Sequence, residues 1–217
     1  MRLLVATTNT NKVREIRALL ADLPLELVTL DAFPVLPAPE ETGRTFEANA
    51  RQKAQYYAAA THVLTVAEDS GLEIDALGGA PGVESARFGG AETSYPDKFT
   101  LLYEALRANE GARTDSPARF VCALALAHGD RILFEARGTV EGRIAPEPKG
   151  AGGFGYDPIF FYPPYHQTLG EATQAQKSAV SHRGQAFRKL RDFLVMFASE
   201  QATSHDRDVD EPFSRKP

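Results

Sequence analysis

Four segments of the sequence combine polar side chains and glycines at spacings that suit an anion, a metal ion or an aromatic base. The first is a run of hydroxyl, amide and lysine side chains: Thr7, Thr8, Asn9, Thr10, Asn11 and Lys12. It follows an apolar run and precedes helical periodicity, with Thr10 as the expected N-cap. Because the N–H groups and dipole at a helix N-terminus favour phosphate, the loop is predicted to bind one. A well-capped first helix with a solvated lysine is the alternative interpretation.

The second segment is a set of four carboxylates, Glu40, Glu41, Glu68 and Asp69. Like-charged carboxylates repel one another when they are brought together, so such a cluster is tolerated mainly around a cation. Mg²⁺ prefers oxygen ligands and typically bridges carboxylates and phosphates. Asp69 follows a buried apolar run, at a strand end where open α/β sheets place their ligands. A solvated acidic loop explains Glu40 equally well, and the sequence Asp-Ser-Gly at 69–71 is also typical of a turn.

The third segment runs from Gly150 to Pro158 and contains four glycines with two aromatic residues among them. Glycine lets the backbone approach a ligand closely, and Phe154 and Tyr156 can stack on a base. A flexible loop before a strand is the alternative, but two aromatic residues inside a glycine run are unusual for a linker. The segment is therefore predicted to be a binding loop.

The fourth segment runs from Lys177 to Gly184, with Ser181 as the expected N-cap of a last helix that begins with His182 and Arg183. Arginine presents a rigid fork of N–H donors and no acceptor, which suits a base that carries carbonyl oxygens. Basic surface residues at a helix start give the same pattern. The sequence lacks the G-x-x-x-x-G-K-[ST], G-x-G-x-x-G and G-x-S-x-G motifs and any zinc-site spacing of Cys and His.

Length, composition and charge restrict the class of protein. With 217 residues, 43% of them hydrophobic and 24% charged, the chain suits one sizeable domain or two lobes that share a core. The formal net charge of -5 argues against a nucleic-acid polymer as partner and favours a small anion. We expect neither a membrane span nor a signal peptide. The single cysteine, Cys122, excludes a disulfide framework within the chain, so a cytoplasmic location is the default expectation.

Alternating helical and strand patterns indicate an α/β protein with a mixed, twisted sheet and flanking helices. Strands are predicted at 2–7, 25–29, 63–67, 118–127, 131–141 and 158–162, and helices at 11–21, 45–60, 96–109 and 181–198. The turn at 128–130 joins two strands into a hairpin, so the sheet is mixed. On the second helix, Thr45, Asn49 and Lys53 are spaced i, i+4, i+8 and form a polar ridge. The domain is expected to cover 1–199, with a disordered polar tail at 200–217.

Together the four segments resemble the inosine/xanthosine triphosphate pyrophosphatase family of house-cleaning nucleotide hydrolases, over about residues 2 to 198. The matching stretches are ATTNTNKVREI, EETGRTFEANARQKA, EDSGLEIDALGGAPGVESARF, GGFGYDPIFF and KSAVSHRGQA. The resemblance implies two lobes around a central nucleotide-binding cleft, usually in a homodimer. It also implies Mg²⁺-dependent cleavage of non-standard purine nucleoside triphosphates (ITP, dITP and XTP) to the monophosphate and pyrophosphate.

Residue by residue, the resemblance implies that Thr7, Asn9 and Lys12 hold phosphates, with Lys53 reaching in from the polar ridge. Glu41 and Asp69 hold Mg²⁺ and Asp69 also activates water, while Ser70 touches the substrate. The base pocket consists of Phe154, Gly155, Tyr156, Asp157, Lys177, His182 and Arg183.

Two positions depart from the family pattern. Thr8 stands where glycine is usual, and a threonine forced to positive φ would be strained. Glu68-Asp69 stands where Asp-Asp is common, so the longer Glu68 becomes a further candidate metal ligand.

Other functions fit parts of the pattern. One alternative is a pyrophosphatase for modified pyrimidine or 7-methylguanine nucleotides, and another is a non-catalytic nucleotide sensor. The carboxylate pair Glu41 and Asp69 favours an enzyme, because a pure binder has no need of it. An RNA-binding module is disfavoured by the acidic balance of the chain.

Overall fold

A computed structural model describes residues 1–109 and 115–207, with side chains to residue 199. Its strands are β1 (Arg2–Val5), β2 (Glu26–Thr29), β3 (Leu64–Ile74), β4 (Pro117–His128), β5 (Arg131–Ile144), β6 (Phe160–Tyr162) and β7 (Gln167–Thr168). Its helices are α1 (Thr10–Leu19), α2 (Phe46–Thr61), α3 (Tyr95–Ala108), α4 (Gln174–Val180) and α5 (His182–Arg207). No helix in the described ranges is long and apolar enough to cross a membrane.

The strands form one mixed sheet in the order β2-β1-β3-β4-β5-β6-β7. β1 pairs in parallel with β2 and with β3, and every pairing from β3 to β7 is antiparallel. The predicted α/β class and the hairpin at 128–130 are therefore confirmed. β3, β4 and β5 have 11, 12 and 14 residues, so each is long enough to serve two separate regions of packing.

The long strands β3, β4 and β5 run through two lobes, and the buried side chains form three separate clusters along them. In the first lobe, Leu3 packs with α1 and α5 on one face of the sheet, while its neighbour Leu4 packs with α2 on the other face. The second lobe packs α3 and β6 against the far ends of β3, β4 and β5. The two-lobed architecture implied by the resemblance is thus present.

Local signals explain most helix boundaries. The Oδ1 atom of Asn9 accepts hydrogen bonds from the backbone of Asn11 and Lys12, so Asn9 caps α1 and the assignment of the N-cap to Thr10 was wrong. Thr45 caps α2 by accepting from the backbone of Ala48. α4 was not predicted, although its Thr173 and Gln176 form a capping box.

Two further predictions are corrected by the structure. The strand predicted at 63–67 does not end before Asp69, and no turn forms at 69–71, because β3 continues through these residues and pairs residue by residue with β4, as in Asp69 opposite Ala123. α5 is predicted to end near residue 198 but continues to Arg207. Residues 208–217 of the expected tail lie outside the described residues.

Candidate active site

A cavity of about 350 Å³ lies between the two lobes and collects all four segments singled out from the sequence. Its lining includes Thr7, Thr8, Asn9, Lys12, Glu41, Lys53, Glu68, Asp69, Ser70, Phe154, Gly155, Tyr156, Asp157, Lys177, His182 and Arg183. Thr10 and Asn11 were also predicted to bind substrate, but they lie in the first turn of α1 and do not line the cavity.

The loop between β1 and α1 forms one end of the cavity. Thr7 Oγ1 accepts from the backbone N–H of Asn9 at 3.2 Å, and the Asn9 cap orders the start of α1. Lys12 extends into the cavity and pairs with Glu68 at 3.1 Å. Among the described non-glycine residues only His62 and His166 have positive φ, so Thr8 needs no strained conformation. The loop presents hydroxyls, N–H groups and one ammonium, a set suited to phosphate.

Asp69 is buried beside this end of the cavity, with 6% of its surface exposed. Asn49 Nδ2 donates to Asp69 Oδ2 at 2.9 Å, and Lys53 Nζ approaches Oδ1 at 3.4 Å. Burial raises the pKa of Asp69 above its ordinary value, although Lys53 and Asn49 oppose that rise. A carboxylate with a raised pKa is a stronger base than a solvated one. Of the polar ridge predicted on α2, Asn49 and Lys53 both reach Asp69, whereas Thr45 caps the helix. The predictions do not name Asn49 as a site residue.

Lys53 joins Asp69 to Glu41, because its Nζ also donates to Glu41 Oε1 at 3.0 Å. Burial would lower the pKa of Lys53, but the two carboxylates raise it, so the ammonium stays charged. In the described part of the chain no three His, Cys, Asp or Glu side chains come close enough to hold a metal by themselves. Two carboxylates next to a phosphate loop fit Mg²⁺, which typically completes its shell with phosphate oxygens and waters.

Glu68 points away from this carboxylate pair. Neighbouring residues of a strand face opposite sides of the sheet, so Asp69 faces α2 and Glu68 faces α1 and α5. Its Oε1 pairs with Lys12 at 3.1 Å and with Arg183 at 3.0 Å, and Cys122 Sγ donates to Oε2 at 3.3 Å. Burial would raise the pKa of Glu68, but Arg183 and Lys12 hold it well below its usual value. This position gives no support to Glu68 as a metal ligand.

A chain of buried ion pairs forms the other end of the cavity. Arg183 donates to Glu15 Oε2 at 2.7 Å and to Ser70 Oγ at 3.1 Å. Lys177 pairs with Glu15 at 3.1 Å and with Asp157 at 2.7 Å. Glu15 was not predicted as a site residue, although it lies within the matching stretch ATTNTNKVREI. Its carboxylate holds two cations of the pocket side by side.

Aromatic rings complete this end. Lys177 Nζ lies 4.2 Å from the centre of the Phe154 ring, which borders the cavity. Tyr156 borders the cavity, but its ring packs in the core of the second lobe and its hydroxyl donates to Ser85 O at 2.8 Å, so its stacking on a base stays a prediction. His182 stacks on Phe120 with ring centres 5.0 Å apart. Burial and the neighbouring Arg183 lower the pKa of His182 well below its usual value, so the imidazole is neutral.

Comparison with known proteins agrees with this geometry. The model of the Ham1 family matches residues 3–193. A dITP/XTP pyrophosphatase of an Exiguobacterium species is 47% identical over 197 residues, covering 91% of this chain and 98% of its own. A dITP/XTP pyrophosphatase of Deinococcus radiodurans is 46% identical over 189 residues, covering 87% of this chain and 90% of its own.

Solved structures of Ham1 proteins also resemble this chain. A HAM1 protein from Coxiella burnetii superposes with a TM-score of 0.84 at 39% identity, covering 90% of this chain and 99% of its own. The Ham1 protein of Staphylococcus aureus superposes with a TM-score of 0.79 at 35% identity, covering 89% and 98%. These matches confirm the resemblance found in the sequence, and the chain belongs to the Ham1 family.

Proposed function

We propose that the protein is a nucleoside-triphosphate pyrophosphatase that converts dITP, ITP and XTP to the monophosphate and pyrophosphate. The observation that carries the proposal is the position of Asp69. Its buried carboxylate lines the same cavity as the loop from Thr7 to Lys12 and Arg183, and it shares Lys53 with Glu41. The names of the curated relatives, dITP/XTP pyrophosphatases, support the same substrate class.

In this proposal the cationic residues of the cavity bind phosphate oxygens, and the carboxylates act on water and the metal ion. Lys12 and Lys53 neutralise phosphate oxygens, and Asp69 accepts a proton from the attacking water. The water oxygen bonds to the α-phosphorus, and the bond from that phosphorus to the oxygen of the β phosphate breaks, so that pyrophosphate leaves. A positioned base of this kind contributes about 10²–10⁴-fold to a rate. Glu41 and Asp69 would hold Mg²⁺, which would supply charge stabilisation and a template for in-line attack.

Recognition of the base rests on donors. Hypoxanthine and xanthine carry an acceptor oxygen at the 6-position, where adenine carries an amino group. Arg183 uses three of its nitrogens on Glu68, Glu15 and Ser70, which leaves further N–H bonds of its fork for a ligand. Facing an adenine amino group, such a donor stays unpaired, and sites of this kind discriminate strongly.

The family resemblance also supports a homodimer and a cytoplasmic location. Sedimentation of the purified chain at micromolar concentration tests the dimer: a single species of twice the 23.6 kDa chain mass is expected. Sedimentation at the monomer mass throughout would contradict it.

The activity is tested by pyrophosphate release from ITP, dITP, XTP, ATP, GTP and dUTP, each with Mg²⁺ and with chelator. We expect pyrophosphate release from ITP, dITP and XTP when Mg²⁺ is present and none when it is chelated. Faster pyrophosphate release from dUTP than from ITP, dITP or XTP would favour a pyrophosphatase for other modified nucleotides. Tight binding of ITP without release from any substrate would favour a nucleotide sensor.

A further inference from the structure

We infer that Arg87 is a phosphate-binding arm of this cavity, directed at the two phosphates that leave as pyrophosphate. The inference rests on the proposed function for the identity of the leaving group. Arg87 lines the cavity, although its sequence pattern drew no prediction. Its Nη1 lies 3.6 Å from Glu41 Oε2, while Lys53 takes the other oxygen of the same carboxylate. Arg87 therefore lies beside Glu41 and Lys53, in the part of the cavity assigned to the phosphates.

Arg87 differs from the other cations of the cavity in how firmly it is held. Lys177 and Arg183 are almost fully buried, and each is engaged by two carboxylates. The side chain of Arg87 keeps 40% of its surface exposed. Its shortest contacts are with Glu84, three residues earlier: Nε and Nη2 of Arg87 each donate to one carboxylate oxygen at 3.0 Å. The side chain of Glu84 is itself 58% exposed. Exposed ion pairs of this kind stabilise a protein little, so leaving Glu84 costs little.

The backbone that carries this arm is fixed, in contrast to the guanidinium. Lys98 Nζ donates to Ala86 O at 2.6 Å, and the Tyr156 hydroxyl donates to Ser85 O at 2.8 Å. Ser85 Oγ in turn accepts from the backbone of Leu72 in β3. A partly exposed side chain on an anchored backbone can reach a ligand by a change of rotamer, without any rearrangement of the fold.

The chemistry of the site favours a transfer of Arg87 from carboxylate to phosphate. Glu41 has one oxygen toward Lys53 and one toward Arg87, at a distance too long for a strong hydrogen bond to the latter. A triphosphate brings several negative charges to this end of the cavity. The planar fork of an arginine matches two phosphate oxygens at once, which a lysine cannot do.

The test is titration calorimetry of inorganic tripolyphosphate, and separately of IMP, into the full chain with Mg²⁺ present. Arg87→Gln is expected to weaken tripolyphosphate binding about tenfold, the loss typical of a charged hydrogen-bonded contact. IMP lacks the leaving phosphates, so its affinity should not change. Arg191→Gln is the matched control, because Arg191 lies on α5, is similarly exposed, pairs with Asp22 and does not line the cavity. Equal tripolyphosphate affinity in Arg87→Gln and the wild type would overturn the inference.

Glu84→Gln separates the arm from its ion pair. It removes the nearer of the two carboxylates that contact Arg87 and leaves the arginine in place, so tripolyphosphate should bind at least as tightly as in the wild type. Weakening as large as in Arg87→Gln would show that the pair itself matters and would overturn the inference. Tripolyphosphate carries no base, so these binding results do not depend on the nucleotide that the protein hydrolyses. If the wild type releases no pyrophosphate from ITP, dITP or XTP, that result contradicts the proposed function and leaves the inference about Arg87 intact.

Discussion

Arg183 Nε donates to Glu68 Oε1 at 3.0 Å, and both side chains are only 2% exposed. The same oxygen lies 3.1 Å from Lys12 Nζ. One buried carboxylate therefore holds a cation of the phosphate loop and a cation of the opposite pocket. The glutamate that departs from the usual Asp-Asp pair connects the two ends of the cavity.

The network continues from Arg183 to Glu15 and from there through Lys177 to Asp157. Asp157 Oδ2 accepts from the backbone N–H of Phe154 at 2.7 Å, so the chain of charges also fixes the loop that carries this ring. Burial raises the pKa of Asp157, against the opposing charge of Lys177. Removing the Glu15 carboxylate leaves this buried network with one unbalanced positive charge, because Lys12, Lys177 and Arg183 keep only Asp157 and Glu68, and an unbalanced buried charge is costly.

Glu15→Ala should destabilise the protein by about 3–5 kcal/mol, the cost of breaking a buried ion pair by removal of one partner. Lys177 and Arg183 both lose a carboxylate at hydrogen-bond distance. The measurement is the free energy of unfolding from urea denaturation. Glu84→Ala removes an exposed carboxylate as a control and should change stability by no more than about 0.5 kcal/mol. Equal small losses in both variants would contradict the assigned importance of the buried network.

Asp69→Asn should reduce the rate of pyrophosphate release from ITP by about 10²–10⁴-fold, because an amide cannot accept the proton of water. The change keeps the size of the side chain, so the melting temperature should stay close to that of the wild type. Asp75→Asn is the control, because Asp75 lies outside the cavity lining and pairs with Arg119. Retention of most activity in Asp69→Asn would show that another group activates the water.

Local sequence signals were sufficient for the parts of the fold that depend on neighbouring residues. The ridge of Asn49 and Lys53 follows from helical spacing alone, and both side chains reach Asp69. The Asp-Ser-Gly sequence also carries a local signal, that of a turn, but it is overridden by pairing with β4. That strand lies about 50 residues further along the chain, so periodicity could not reveal the pairing.

The site residues that the predictions missed have partners distant in sequence. Glu15 is 162 positions from Lys177 and 168 from Arg183. Its place on α1 looks like an ordinary exposed helix position until α4 and α5 fold against it. Arg87 has the same difficulty, because Glu41 lies far before it in the chain. Residue spacing predicts which side chains share a face of a helix or strand, but the residues that pack against that face are known only from the folded structure.

His182 should make stability depend on pH. In the unfolded chain its pKa is about 6.5, and in the folded protein burial holds it well below that value. The unfolded state therefore takes up a proton first as the pH falls, so the stability is complete above about pH 6.5 and is lost below it. The loss approaches about 1.4 kcal/mol per pH unit.

His182→Phe isolates this contribution, because phenylalanine keeps the stacking on Phe120 but cannot titrate. Unfolding free energies at pH 7.5, 6.5 and 5.5 should fall less steeply in the variant than in the wild type. Parallel slopes would mean that the folded imidazole takes up its proton as readily as the unfolded one. The buried Nδ1 has no hydrogen-bond partner within the described residues, which favours the neutral ring.

Gly138→Ala should disturb the base pocket from outside the cavity. A Cβ on Gly138 would lie 2.1 Å from His182 O and 2.8 Å from Ala186 N. Both are backbone atoms, so no rotamer change relieves the clash and the first turn of α5 must move. Because that turn carries His182 and Arg183, the preference for ITP over ATP in pyrophosphate release should shrink, alongside a stability loss of about 1–3 kcal/mol.

Gly129→Ala separates the displacement of α5 from destabilisation in general. Gly129 lies in the hairpin turn with φ +60 and open space around its Cβ position. An alanine there costs about 1–2 kcal/mol through the left-handed backbone and leaves α5 in place. It should lower the melting temperature while the preference for ITP stays at the wild-type value. If both variants keep the wild-type preference, the contact between β5 and α5 does not set the position of Arg183.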